Sequence, residues 1–416
     1  MNHHPDTPRQ RLTGHLKRTA LAVALTLCFA PAVTAQSAVG SIFGDTASRA
    51  EVRIENVDTG LAREISADDA GRFTFPQLAP GRYRVTSDGV TRDVQVKVGT
   101  GSEVDFTRSS AELDTVTVQG VAAFNPIDVS SVESTTVFTA EQLEQLPIAR
   151  NVTAVALLAP GTVRGDTGLG NGNLASFGGS SVAENGYYIN GFDVTNIRNF
   201  LSFADLPFDA IGEQQVKTGG YGAEYGRSLG GVISLVTKRG TNEWKSGTSV
   251  YWRPSWGKEP GTDVVSRDPS RTGGDPLFVY RSDNESTGFR YNVWSGGPLL
   301  KDKVFMFAIV EGRNDSADEY TKFASERREN DSPSAMLKLD WNITDNHVAE
   351  FTGIYNKSTQ TTDHYTNPKG VVASGQHGNF VNSSTLENGG AVYIGKYTGY
   401  LTDTFTVSAQ YGHLNS

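Results

Sequence analysis

From residue 246 onward the chain repeats one pattern, and that pattern restricts its fold more than any other feature. Phe289, Tyr291 and Val293 alternate with Arg290 and Asn292, and Ala335, Leu337, Leu339, Trp341 and Ile343 alternate with Met336, Lys338, Asp340, Asn342 and Thr344. Ala349, Phe351 and Tyr355 alternate with Glu350 and Thr352, as Phe405, Val407, Ala409 and Tyr411 do with Thr406, Ser408 and Gln410. A period of two sorts these sets onto opposite faces of a strand, one apolar and aromatic, the other carrying charges and amides. A soluble sandwich would alternate too, so the connections must discriminate. Strands are expected near 246–253, 287–296, 304–312, 334–343, 347–356, 391–401 and 405–414. The links between them alternate: long at 255–286, 313–333 and 357–390, short at 297–303, 344–346 and 402–404. Long loops at one end and tight turns at the other describe a transmembrane antiparallel β-barrel. Links of about 20–30 residues recurring on one edge only are uncommon in soluble domains.

Beyond residue 35 the sequence has no uncharged apolar run of about 18 residues, so no helix is expected to span a bilayer. Residues 1–35 read as an export signal. Arg9, Arg11, Lys17 and Arg18 precede the apolar run Ala20–Ala30, and Val33, Thr34 and Ala35 provide small residues for cleavage after Ala35. The single cysteine, Cys28, lies inside that run, so the mature chain is expected to hold no disulfide. Leu27 before it excludes a lipoprotein signal. Removing the four basic residues and Asp6 takes away +3, which moves the net charge from −9 to −12 and disfavours nucleic acid as a partner.

Between the signal and the barrel lie three further zones. Residues 36–108 read as a small β-sandwich, with strands at Val39–Phe43, Glu51–Asn56, Arg72–Phe75, Arg82–Thr86 and Thr91–Val98, and turns at 58–60, 69–71 and 80–81. Residues 109–135 are a polar linker interrupted by one β-prone segment, Asp114-Thr115-Val116-Thr117-Val118. Residues 136–245 combine short helices at Ala140–Leu146 and Val152–Leu158 with a Gly-rich loop and strand-like stretches. Thr139 followed by Gln142 supplies the first helix with a capping box. Gly168, Gly170 and Gly172 lack the Lys-Ser/Thr end and the strand–turn–helix setting of a phosphate loop. The fold class expected is therefore mainly β: a sandwich, an α+β domain, then the first strands of a barrel.

Several stretches resemble one family in order along the chain. "GRFTFPQLAPGRYRVTSDG" (71–89) resembles the carboxypeptidase regulatory-like domain, a carbohydrate-binding-like fold. "AEYGRSLGGVISLVTKRGTNEWKSG" (223–247) resembles the end of the plug of TonB-dependent outer-membrane receptors, and "GGPLLKDKVFMFAIVEG" (296–312) the second and third barrel strands of their Oar-like subgroup. Ser234 and Arg239 stand where that family often has Asn and Ser.

The resemblance implies an outer-membrane receptor, exported by the cleaved signal, that binds an external substrate and imports it with energy delivered by TonB. The sandwich and linker would lie in the periplasm. It implies that the plug spans 136–245, that Asp114, Thr115, Val116, Thr117 and Val118 form the TonB box, and that Arg198, Asn199 and Asp205 face substrate. Glu224, Arg227, Lys238 and Arg239 are expected to make polar contacts with the barrel wall. On physical grounds a short β-prone segment on a flexible tether suits addition to a partner's sheet edge. The alternative for 114–118 is the last strand of the sandwich. Phe73 and Tyr83 read as core rather than as a sugar platform. Partners would be the TonB complex, outer-membrane lipid, and a metal chelate, oligosaccharide or peptide as substrate; no cofactor or metal is expected.

Two other functions fit parts of the sequence. A receptor for adhesion, surface assembly or signalling would share this fold, although transducers of this family carry an α/β signalling domain at the N-terminus and this one reads as all-β. A zinc carboxypeptidase would need His347 and Glu350 as ligands, but their odd spacing in a strand puts them on opposite faces. Seven strands is an odd count, and a sheet in lipid cannot leave an edge unpaired. The chain is therefore expected to be the N-terminal part of a longer receptor.

Overall fold

The computed structural model describes residues 38–107, 133–166, 168–169, 174–198, 200–201, 203–226, 228–268, 270, 277–321, 324–366 and 376–415. No helix among the described residues is long and apolar enough to cross a membrane.

Seven strands form the sandwich: β1 (Gly40–Asp45), β2 (Glu51–Asn56), β3 (Ala62–Ser66), β4 (Arg72–Leu78), β5 (Gly81–Ser87), β6 (Val90–Val96) and β7 (Gly101–Asp105). They lie in two sheets, ordered β4-β1-β7 and β3-β2-β5-β6. Alternation fixes the facing: Ile42, Val52, Ile54, Phe73, Phe75, Tyr83 and Val85 point between the sheets and are buried. The Tyr83 hydroxyl donates to the Ala79 carbonyl at 2.9 Å, which satisfies its one polar atom in the core. Asp68 holds the turn before β4 by accepting from the Ala70 and Arg72 backbones, with Gly71 at φ +81°. Strands β3 and β7 were not anticipated; both are short, and the inward position Arg63 of β3 is charged.

The middle domain carries β8 (Ser134–Thr139), β9 (Thr162–Arg164), β10 (Ala175–Phe177), β11 (Gly186–Ile189), β12 (Phe192–Asp193), β13 (Ile211–Gly219) and β14 (Val232–Thr237). Its main sheet runs β12-β11-β14-β13-β8, which leaves β8 on an edge and β14 at the centre. Every residue of β14 is buried, Ser234 and Thr237 included, as its central place between β11 and β13 requires. Two short helices, α1 (Ala140–Gln145) and α2 (Val152–Ala156), cover one side. The Thr139 N–H donates to Gln142 Oε1 at 3.0 Å, and Asn151 Oδ1 accepts from the Ala154 N–H at 2.8 Å.

The remainder is β15 (Lys245–Arg253), the small hairpin β16 (Val264–Val265) and β17 (Leu277–Val279), then β18 (Glu285–Leu300), β19 (Val304–Tyr320), β20 (Ala324–Asp331), β21 (Ser334–Thr344), β22 (His347–Tyr355), β23 (Ser358–Thr366), β24 (Asn379–Asn388), β25 (Ala391–Tyr400) and β26 (Thr406–Asn415). All but the small hairpin join one ten-stranded antiparallel sheet. The seven anticipated strands are present. Of the three anticipated long links, 313–333 and 357–390 are largely strand among the described residues, whereas 255–286 carries the small hairpin outside the sheet. β19 runs on to Tyr320, β20 returns beside it, and β23 and β24 continue the same sheet.

The three continuations start at adjoining interruptions. Pro333 cannot donate to the ladder, the Asn356 N–H turns to the Gly390 carbonyl at 2.9 Å, and Gly389 adopts φ +79°. Outward apolar side chains such as Val293, Val310, Phe351, Tyr355 and Tyr393 lie on the short-turn side of this seam. The nine residues of β22, tilted as barrel strands are, span roughly 23 Å, the height of a lipid-facing band. Past the seam β20 and β23 are mainly polar on both faces, and β24 adds exposed Phe380, Val381 and Leu386 to Asn, Ser and Thr.

Candidate functional site

The inner face of the large sheet wraps the middle domain, and that contact has three levels. Across the middle, Phe307, Ile309, Met336, Ile354, Val392 and Ile394 of the wall share one apolar core with Ile189, Val194, Leu206, Phe208, Ile211 and Ile233 of the plug sheet and its loops. Asn190, in the tight turn between β11 and β12, adds a neutral tie. Its amide donates to Thr237 and Thr352 Oγ1 at 2.9 and 3.0 Å, while Gln410 Nε2 donates to its carbonyl at 2.8 Å. At φ +50° it occupies the left-handed region that asparagine tolerates.

Towards the short turns the contact is charged. Lys338 Nζ lies 3.0 Å from Glu350 Oε2 and 3.6 Å from Asp340, and Arg239 reaches the other oxygen of Glu350 at 3.5 Å. Burial opposes the Arg239 charge, but Asp340 and Glu350 outweigh it and push its pKa up, so the guanidinium stays charged. Lys238 Nζ pairs with Glu144 at 3.1 Å and sits 5.7 Å from the centre of the Trp294 ring. A Cβ on Gly240 would collide with the backbones of Met306 and Gly297, so only glycine lets the chain pass from plug to wall there.

Towards the other end a second charged group forms. Arg150 pairs with Asp209, which also accepts from Asn292 Nδ2, and the Arg150 guanidinium lies over Phe208 and Tyr251 at 4.8 and 4.7 Å. Arg290 donates to the Arg150 carbonyl at 3.2 Å and lies 3.7 Å from buried Glu311.

Of the residues expected to face substrate, Arg198 and Asp205 lie on one exposed loop. The Thr195–Phe203 bridge and the stacking of Phe203 on Tyr187, with ring centres 4.1 Å apart, close that loop. Arg198 N–H donates to Asn196 Oδ1 at 2.9 Å, the Asp205 carboxylate accepts from the Leu206 N–H at 3.0 Å, and the Asp205 carbonyl accepts from Asn356 of the seam at 2.8 Å. Of those expected at the wall, Lys238 and Arg239 reach it, whereas Glu224 sits in a short turn with Tyr225 beside Tyr188 and Tyr221 of the plug itself. Asn199, Arg227 and the segment Asp114–Val118 lie outside the described residues. His347 meets the Tyr397 hydroxyl at 2.6 Å, on the face of β22 opposite Glu350.

The sequence reading gave no place to the apolar level, nor to Asp209, Asn190, Asn292 or Glu311. Alternation puts Asn292, Lys338 and Glu350 on the polar face, but the Asp209 partner of Asn292 lies 83 positions away, and the wall partners of Asn190, Thr352 and Gln410, lie 162 and 220 positions away. Between sandwich and plug there is also a cleft of about 390 Å³, lined by Asp58, Arg82, Glu141, Glu213, Lys238 and Arg239 among others.

Two family models match the chain: the carboxypeptidase regulatory-like domain over residues 39–109 and the TonB-dependent receptor plug domain over 128–232. The TonB-dependent transporter Oar of Myxococcus xanthus is 28% identical over 315 residues, which are 70% of this chain and 28% of Oar. The chain thus spans just over a quarter of that relative's length. Among solved structures, the siderophore receptor PirA of Acinetobacter baumannii superposes with a TM-score of 0.42 at 18% identity, over 68% of this chain and 40% of that one. A ferric enterobactin receptor, PfeA of Pseudomonas aeruginosa, gives 0.42 at 16% identity, over 67% and 40%. The two domain matches give the chain a carboxypeptidase regulatory-like domain followed by a TonB-dependent receptor plug domain, and the alignment with Oar makes it similar to that transporter over a longer stretch than the two together.

Proposed function

We propose that the chain belongs to an importer: it binds a substrate from outside the cell and passes it to the periplasm when TonB pulls on the plug. The observation that carries this reading is the seating of the plug. Polar pairs at both ends of its contact with the wall, Arg239 with Glu350 and Asp209 with Asn292, can exchange for water when the plug shifts. In this reading the short turns, the sandwich and the linker face the periplasm, and the loop bearing Arg198, Asn199 and Asp205 faces substrate.

The outer membrane has no energy source of its own, so force must enter through a contact with the inner membrane. Asp114–Val118 would provide that contact by adding as an edge strand to the partner's sheet. The test is uptake of labelled metal chelates, oligosaccharides and peptides by cells with and without TonB. Val116→Pro removes a ladder donor and is expected to abolish energised uptake while leaving surface binding intact. Uptake that persists without TonB, or in Val116→Pro, overturns the reading.

A further inference from the structure

The sandwich does not hang free of the plug. Both backbone groups of Val98, in the turn between β6 and β7, are gripped by two side chains of β13: the Val98 N–H donates to Glu213 Oε2 at 2.8 Å, and its carbonyl accepts from Gln215 Nε2 at 3.0 Å. Residues two apart on a strand share a face, so the pair acts as a clamp. Val98, Glu213 and Gln215 are all buried. Gly99 beside them has φ +65°, and any side chain there would strike Gln215. Around the clamp, Ala38 and Val98 of the sandwich share an apolar cluster with Val137 of β8 and Val236 of β14.

The sandwich also holds the rim of the wall. The Tyr400 hydroxyl donates to the Gln77 carbonyl at 2.6 Å, with the Arg63 guanidinium 3.5 Å from the centre of the Tyr400 ring. The Asn242 N–H donates to the Asp58 carbonyl at 2.8 Å, and the Asn242 amide donates to Asp302 in the turn between β18 and β19 at 2.7 Å. One domain therefore bridges the plug and the wall that surrounds it, and covers β8, the edge strand by which the chain enters the plug.

We propose that the sandwich is a proton-sensitive latch, closed when Glu213 and Gln215 of the plug clamp Val98, that ties the plug to the barrel rim. It deepens the import reading and rests on it for its consequence, since a plug held in this way moves only after the sandwich lifts.

The clamp's chemistry gives it a direction. Burial raises the Glu213 carboxyl to about 7, against the partial relief of the Val98 N–H. Lys97 of the sandwich and Arg239 favour its charge and Glu141 of α1 opposes it; Asp58, Arg82 and Lys238 line the same cleft. A carboxyl whose pKa is raised in the closed state closes the latch most firmly below its ordinary value of 4.5, and that hold is lost as pH rises through about 7.

Val236→Cys tests this in the intact chain in membrane vesicles, with Cys28→Ser removing the native cysteine. β14 is paired on both sides, so its labelling by fluorescein maleimide reports lifting of the sandwich rather than fraying. The rate is divided by that of Leu229→Cys, an exposed reference, at the same pH. The ratio is expected to rise about tenfold between pH 6 and pH 8.5. Glu213→Gln, which stays neutral, should hold it at the low-pH value, and Gln215→Ala should raise it at both. A misfolded variant would label faster, so slow labelling of Glu213→Gln cannot arise from damage. A ratio that ignores pH, or that Gln215→Ala leaves unchanged, overturns the latch. The measurement uses neither substrate nor TonB, so its failure leaves the import reading standing, and TonB-independent uptake leaves the latch standing.

Discussion

At the scale of single residues, Glu350 joins three cations. Its two oxygens serve Lys338 and Arg239, and Lys396 lies directly across from it on β25. Lys338 is 1% exposed, so water cannot replace the carboxylate. Removing one partner of a buried group of charges costs about 3–5 kcal/mol, because the other charges stay buried. Glu350→Gln keeps an acceptor and should fall at the low end, about 3 kcal/mol. Amide exchange in the hinge 238–244 should then speed up about 100-fold. Glu350→Gln with Lys338→Met should recover most of the protection, because the stranded cation is gone. Unchanged exchange in the single variant would show that the hinge is held by the apolar level alone. The inward placement of Glu350 was legible from alternation. Its tie to Arg239 was not, since nothing in local sequence joins positions 111 apart.

At the scale of elements, the seam that divides lipid-facing from polar strand depends on Gly389. Its φ of +79° disfavours any side chain, and a Cβ there would strike the Asn356 carbonyl. Gly389→Val should therefore lower the temperature at which the folded receptor converts to the slower-migrating form in seminative electrophoresis. Gly395→Ala, whose Cβ would meet nothing closer than the Tyr411 carbonyl at 4.0 Å, should leave it unchanged. Equal shifts in the two variants would remove the seam's special role. The same seam explains where the sequence was readable. β15, β18, β21, β22, β25 and β26 stood out because lipid on one side and plug on the other force a period of two. β20, β23 and β24 give no such signal: Glu, Arg, Asn, Gln, Ser and Thr fall on both faces of the first two, and in β24 the apolar Phe380, Val381 and Leu386 do not alternate. Hydrogen-bonded continuation of the neighbouring strands, rather than an apolar face, makes them strands. In the plug, β13 was legible only as strand-like, because Glu213 and Gln215 owe their burial to a sandwich more than 100 positions earlier.

For the molecule as a whole, the question is which part of the plug yields first. β14 pairs with β11 and β13 and is buried throughout, and its Ile233 and Leu235 share the apolar core that includes Ile309 and Met336 of the wall. β8 pairs only with β13, is mostly part-exposed, and is the strand that follows the linker. Its entry is tied by the ion pair of Glu133 with Lys217 and by Thr218 Oγ1 with the Ser134 hydroxyl at 2.9 Å. Local opening free energies run from near zero at frayed edges up to the global value in doubly paired core strands. Tension along the linker would therefore meet single pairings in sequence along β8, while β14 and β11 share their load with the wall. Hydrogen exchange of the receptor in lipid should show β8 amides exchanging fastest among the plug strands, and β14 amides last, together with those of β19. Adding the latch sharpens the expectation: β8 exchange should be slower at pH 6 than at pH 8.5 after correction for the intrinsic rate, and β14 exchange should not change. If β8 proves as protected as β14 at both pH values, the edge strand is not where the plug gives way, and force must act on the plug as a single body.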